Sequence, residues 1–370
     1  MTIDRFRLSA LNGRQWIAPA AMLVGSVLSV ATLLFKSNFS DAVEEPRAVI
    51  EQRRSTLRFV PSAADPSDTA KSPQPPISTE PTDERSFAEL RAGLQAIATE
   101  ERELTSTGME RERQSALLRL RMYRFLCYLP QDDLTLSREL DEDALAVADI
   151  CRRLKKLSHA PDNPGLPDAE YERARVAAGK CNLSSGQSSL SKAIDLWMND
   201  SDAQNFNRLG HRRWCLNPKL LKLGLGRSEQ YCAMWAFDSS RTPAPEYAFI
   251  SFPPPGFVPV DFFASSYAWS VSLNPGKYRP PDLKAITVEL FPIRQDQVDR
   301  DRPFEIERLT VDTQGFGVNN CVIFRPKSLK VLPLQSYQLE IRGLQYLDGE
   351  PTRVSFSVRF VDAISLVISE

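Results

Sequence analysis

The sequence predicts an α+β chain in which a helical module precedes an antiparallel β-sandwich and a long apolar segment precedes both. Three observations carry that reading. No ionisable residue lies between Arg14 and Lys36. Apolar residues recur at helical spacing from Phe87 to Leu157, and beyond Pro243 they alternate with polar ones at the period of a half-buried strand.

The first segment, residues 16–35, runs from Trp16 to Phe35, and about 20 helical residues rise about 30 Å, the thickness of a bilayer's hydrocarbon core. Arg5, Arg7 and Arg14 stand ahead of it against Asp4. By the positive-inside bias, residues 1–15 form a cytoplasmic tail and residues 16–35 a transmembrane signal anchor, which leaves the bulk of the chain extracytoplasmic. The alternative is secretion after cleavage of a signal peptide near Ser40-Asp41-Ala42; apolar regions of such peptides span roughly 7 to 15 residues.

Residues 36–84 contain Pro46, Pro61, Pro66, Pro73, Pro75, Pro76 and Pro81 among Ser, Thr, Asp and Glu. So polar a stretch buries too little apolar surface to offset chain entropy, and it is expected to be a disordered Pro-rich linker. Phe87, Leu90, Leu94 and Ile97 then share one helix face, which predicts a helical stalk over residues 85–109, interrupted near Gly108. A second helix is expected from Arg113 to Leu129. A third, from Asp141 to Leu157, carries Ala144, Val147, Ala148, Cys151 and Leu154 on one stripe and ends near His159.

From residue 243 the pattern changes. Tyr337, Leu339 and Ile341 alternate with Gln338, Glu340 and Arg342, and Val354, Phe356, Val358 and Phe360 with Ser355, Ser357 and Arg359. Gly343 and Asp348-Gly349 supply turn chemistry between them, and residues 286–291 and 321–324 add β-rich runs. An Ig-like β-sandwich over residues 243–370 follows. Pro253-Pro254-Pro255-Gly256 reads as stiff connecting chain.

Composition narrows the function classes. With 46 Lys and Arg against 47 Asp and Glu, the net charge is −1, so no global basic field draws in nucleic acid. The six cysteines all follow the apolar segment, in a compartment where disulfides are permitted, although buried thiols are the other use of such residues. No CxxC pair and no Gly-x-Ser-x-Gly elbow around Ser184, Ser185 or Ser188 is present, which argues against a zinc ribbon and a serine hydrolase. The chain holds two histidines, His159 and His211. Adjacent Arg212 and Arg213 are expected to be solvated or paired with acids, and Trp197, Trp214 and Trp235 to be core.

Between linker and sandwich, five pieces occur in order: Arg121-Met-Tyr-Arg124 with Leu134 and Leu136; Leu157-Ser-His159; Ala177 to Gly186 with Asn182-Leu183; Ala193 to Asp200 around Trp197; and Asn207 to Trp214, with Gly210-His211, followed by Leu223-Gly-Leu-Gly226 and Tyr231 to Phe237. Together they resemble the CAP superfamily (the SCP or pathogenesis-related-1 domain) in its bacterial secreted form, over residues 110–242. The resemblance implies an α-β-α sandwich with a cleft lined by two histidines and two acids. Matched residue by residue, the cleft is His159, Cys181, Asp200 and His211. Cys181 stands where the family has its first acid, and Trp214 where it commonly has a polar residue.

The resemblance also implies extracytoplasmic binding of a lipid, a small apolar ligand or a protein partner without turnover. Two imidazoles with Asp200 and Cys181 as further donors would suit Zn²⁺, so a zinc-dependent hydrolase centred on His159 and His211 is the alternative.

Overall fold

The computed structural model describes residues 84–362. The tail, the anchor and the linker up to residue 83 lie outside them. Among the described residues, no helix is long and apolar enough to cross a membrane. They form a mixed α and β structure with six helices and three sheets, all within one compact unit of the chain.

Helix α1 (Phe87–Arg102) opens on a capping box, Ser86 to the Glu89 N–H and the Glu89 side chain back to Ser86. It lies along α2 (Gly108–Leu126), burying Leu90, Leu94 and Ile97. Gly93 permits this, because a Cβ there would fall 2.1 Å from Cζ of Phe125. Gly108, with φ +58°, begins α2 rather than merely interrupting a helix.

Next come β1 (Thr135–Leu136), α3 (Arg138–Leu154), α4 (Asp168–Ala178), β2 (Cys181–Ser184), α5 (Leu190–Asn199), α6 (Gly210–Cys215), β3 (Lys222–Ser228) and β4 (Tyr231–Trp235). The strands form one sheet in the order β1-β3-β4-β2, in which β1 runs parallel to β3 and the other pairs are antiparallel. The stripe read from sequence buries Ala144, Val147, Ala148 and Cys151 of α3 against α4 and one face of the sheet. Leu223 and Leu225 point to the other face and join a cluster with α1, α2 and α5.

Gly224 and Gly226 alternate with those leucines and face α3. A Cβ at Gly224 would stand 2.1 Å from the Leu140 carbonyl carbon, and one at Gly226 would stand 2.2 Å from the Leu145 nitrogen. The helix backbone therefore rests directly on the strand. Such contact is open only to glycine.

The remaining strands are β5 (Phe249–Phe252), β6 (Gly256–Pro259), β7 (Trp269–Leu273), β8 (Thr287–Arg294), β9 (Gln297–Val298), β10 (Ile306–Asp312), β11 (Cys321–Pro326), β12 (Ser336–Gln345) and β13 (Pro351–Val361). They make two sheets, β10-β11-β7-β5 and β6-β13-β12-β8-β9. The alternations read from sequence pair directly, Tyr337 with Val358, Leu339 with Phe356 and Ile341 with Val354.

Trp269 of the first sheet meets Tyr337 and Phe360 of the second edge-on, each at 6.5 Å. One pairing departs from the antiparallel expectation, since β6 runs parallel to β13. These strands are far apart in sequence, so no short turn dictates their direction. The Pro253–Pro255 stretch is buried on the way into β6.

One hydrophobic cluster runs through both modules, from Leu94, Tyr123 and Trp197 to Trp269, Phe324 and Phe360. Arg124 sits inside the helical module fully buried, donating from Nε to Pro130 O and from Nη1 to the carbonyls of Cys215 and Asn217. Burial, with the nearby Arg241 charge adding to it, pushes its pKa down to about 9. It is a cationic post beneath the end of α6.

Candidate histidine cleft

Helix α3 stops at Lys155, in the left-handed region at φ 51°, and the chain turns back so that His159 reaches the end of α4. Its Nδ1 lies 2.9 Å from the Ala178 carbonyl oxygen. A carbonyl only accepts, so the neutral ring carries its proton on Nδ1 and keeps a lone pair on Nε2. His159 is exposed as a residue, yet neighbouring atoms desolvate the ring and lower its pKa below 6.5. The Ala178 contact opposes this shift, while the charges of His211 and Arg208 add to it.

His211 is held from the other side. Asp200 ends α5 in the left-handed region, φ 45°, which swings its carboxylate to the start of α6. Oδ2 accepts from the N–H of His211 at 2.9 Å and of Arg212 at 3.3 Å, and Oδ1 accepts from Nδ1 of His211 at 2.8 Å. The Asp200 side chain is 1% exposed, while that of His211 is 22% exposed. Leu209, just ahead of α6, is also left-handed at φ 48°, a costly state for leucine that tends to cluster at functional sites. Below the helix, Asn182 of β2 donates from Nδ2 to the His211 carbonyl at 3.0 Å.

Of the four residues matched from sequence, Asp200 and His211 are in direct contact, and His159, bonded to the end of α4, lies near enough to feel the charge of His211. Cys181 faces away. Successive strand residues point to opposite faces; with Asn182 turned to α6, the Cys181 side chain joins the α3–α4 cluster beside Cys151. Burial first, and then the Asp143 carboxylate, raise its pKa and keep it a thiol. Asp200 is not a free donor either, since both oxygens are engaged. Among the described residues, no group of three or more His, Cys, Asp and Glu side chains is assembled to hold a metal ion, and the two imidazoles are one donor short of the three that a catalytic zinc takes.

The surroundings agree with expectation in part. Arg212 and Arg213 are buried, at 0% and 2% exposure. Arg212 donates to the carbonyls of Met198, Asn199 and Ala268 and to Ser270 Oγ, and Arg213 to the carbonyls of Val318, Arg208 and Gln314 and to Asp312 Oδ2 at 2.8 Å. Arg213 is thus paired with an acid, as expected, but neither arginine is solvated: both tie α6 to the two-sheet module.

Trp197 is core, but Trp214 and Trp235 are only half-buried; Trp214 stacks on Phe237 at 3.9 Å, and Phe237 is 44% exposed. All six cysteines are free and buried. Sequence reasoning missed the hairpin loop between β10 and β11, which reaches α6 through Phe316 and Gly317. Its signal was a single aromatic flanked by glycines, Gly315-Phe316-Gly317.

No protein-family model matches this chain, and no curated protein matches it.

Proposed function

We propose that the protein is a binding module: a CAP/SCP-like α-β-α domain over residues 110–242, followed by an Ig-like β-sandwich, displayed outside the cell membrane by an anchor at residues 16–35. The cleft between His159 and His211 is where it takes a lipid, a small apolar ligand or a protein partner. One observation supports this above others. Both imidazoles are locked through Nδ1, to Ala178 O and to Asp200, which leaves both Nε2 atoms for a ligand, while the single acid beside them is fully engaged. A zinc hydrolase that moves its proton through a carboxylate needs that carboxylate free, and Asp200 is spent on orienting His211. The near-neutral charge of the chain offers no attraction to nucleic acid.

A zinc-dependent hydrolase is the second reading. Its support is the same pair of Nδ1 contacts, since metal-bound histidines characteristically donate their other N–H to a carboxylate or carbonyl. The two readings separate in one experiment on the full-length protein in detergent. Zinc retained after equilibration is measured for wild type, His159→Ala and His211→Ala, together with ester and peptide hydrolysis. The binding reading expects weaker zinc retention in both variants and no turnover in any. Hydrolysis by wild type that vanishes in both folded variants would establish the enzyme.

A further inference from the structure

The outer face of the second sheet, β6-β13-β12-β8-β9, carries a trough. One row of residues crosses it in direct register: Phe257 beside Arg359, Arg359 beside Ser336, Ser336 beside Ile293 and Ile293 beside Val298. Residues paired in register share a face, and the alternation that buries Tyr337, Leu339, Val358 and Phe360 turns this row away from the first sheet. Ser336 is its smallest member, and Ser357 and Gln338 pair next to it, so the face dips in the middle. The dip is a cavity of about 510 Å³ lined by all of these residues, within the usual size of small-molecule sites. Asp296 joins the lining from the β8–β9 hairpin. There Gln295 and Asp296 adopt φ 49° and 59°, the two positive values that a two-residue type I′ turn requires.

The polar groups of the trough are unspent. Elsewhere on the same face the charges pair, Glu340 with Arg300 and Arg342 at 2.6 Å each and Arg342 with Glu289 at 3.1 Å. Among the described residues, the side chains of Arg359, Asp296, Ser336 and Ser357 form no hydrogen bond or ion pair, and the Arg359 guanidinium has the Phe257 ring at 5.5 Å. Gln338 donates through Nε2 to Ser355 Oγ and the Leu339 carbonyl, which leaves its Oε1 open to accept.

The lining therefore holds a group that only donates, Arg359, a group that only accepts, Asp296, and hydroxyls that do both. Phe257 on one side and Ile293 with Val298 on the other add apolar surface. The two formal charges cancel. A free anion would meet Asp296 as well as Arg359, and a purely apolar molecule would leave every one of these polar groups without a partner. An uncharged body with donors and acceptors arranged around C–H faces satisfies the whole set, and a sugar ring is such a body.

We infer that this trough is a second ligand site, independent of the histidines, and that it takes a neutral saccharide whose hydroxyls are hydrogen-bonded by Arg359 and Asp296 from opposite sides of a floor made by Ser336, Gln338 and Ser357.

Full-length protein, methyl-labelled at isoleucine and valine and kept in a detergent without sugar groups, is titrated with maltose, cellobiose, N,N′-diacetylchitobiose and, separately, inorganic phosphate, while NMR follows the methyl signals of Ile293 and Val298. At least one disaccharide should move both signals along one binding curve, and phosphate should move neither. Arg359→Ala and Asp296→Ala should each raise that sugar's midpoint about tenfold, the scale of a lost hydrogen bond to a charged group, and Ser357→Leu, which fills the floor, should abolish binding. These side chains are exposed or half-buried, and unmoved methyl signals elsewhere report an intact fold.

No shift with any of the sugars, a midpoint that the Arg359 and Asp296 variants leave unchanged, or phosphate moving the two signals in place of sugar would overturn the inference, the last by making the trough an anion site. None of these outcomes bears on the histidine cleft.

Discussion

Asp200 holds His211 at two points, its backbone N–H at 2.9 Å through Oδ2 and its ring Nδ1 at 2.8 Å through Oδ1. One buried carboxylate thus fixes the start of α6, the tautomer of the imidazole and the direction of its free nitrogen.

Asp200→Asn keeps the shape but places an NH₂ group against donors. Unfolding by urea should show a loss of about 1.5–3 kcal/mol, the usual scale for hydrogen bonds to a charged group, and the His211 ring should no longer be a single Nδ1–H tautomer. Unchanged stability with an unchanged tautomer would mean that Asp200 does not orient the ring.

Arg213→Met removes the pin to the β10–β11 loop and leaves Asp312 buried without its ion pair. Breaking such a pair from one side costs about 3–5 kcal/mol. The double variant Arg213→Met with Asp312→Leu should recover part of the loss. If the two changes simply add, the pair is not coupled.

Gly224→Ala and Gly226→Ala each introduce a methyl group where the α3 backbone lies 2.1 to 2.2 Å away. Overpacking of this kind costs about 1–3 kcal/mol; here the obstacle is main chain, so the upper end is expected in thermal melts. Near-neutral effects at both positions would place α3 farther from β3.

Much of this fold was legible because it follows from local periodicity. The α3 stripe, the Tyr337 and Val354 alternations and the Leu223-Gly-Leu-Gly226 strand each declare a face within a few residues. The candidate site was legible only in part. Asp200 and His211 meet, with Asp200 orienting the ring, but the facing of Cys181 is decided by strand register, which no local pattern records. The buried arginines were not legible at all. Their partners are mostly main-chain carbonyls, several of them far away in sequence, such as Val318 O for Arg213, and no side-chain pattern records a carbonyl. The packing of Phe316 at Gly210 was hidden for the same reason, since it depends on where the β10–β11 hairpin lands.

The lowered pKa of His159 gives stability a pH dependence of known sign. Its folded value lies below the ordinary 6.5, chiefly through desolvation of the ring, so the unfolded chain binds the proton more readily. Stability contributed by the neutral ring is present above 6.5 and falls as the pH drops through 6.5 toward the folded value. Urea midpoints measured between pH 7.5 and pH 5 should decline, and His159→Gln should flatten that part of the curve. An equal decline in the variant would assign the effect to other groups.

The central claim is that His159 and His211 form a single ligand site with both Nε2 atoms free. Because the chain contains two histidines, a long-range ¹H–¹⁵N spectrum of full-length, histidine-labelled protein reads the site without ambiguity. Both rings should carry a proton on Nδ1, held by Ala178 O and by Asp200, and on addition of Zn²⁺ both Nε2 signals should move together along one binding curve. Either ring protonated on Nε2 instead, or two rings responding at different zinc concentrations, would contradict a shared site.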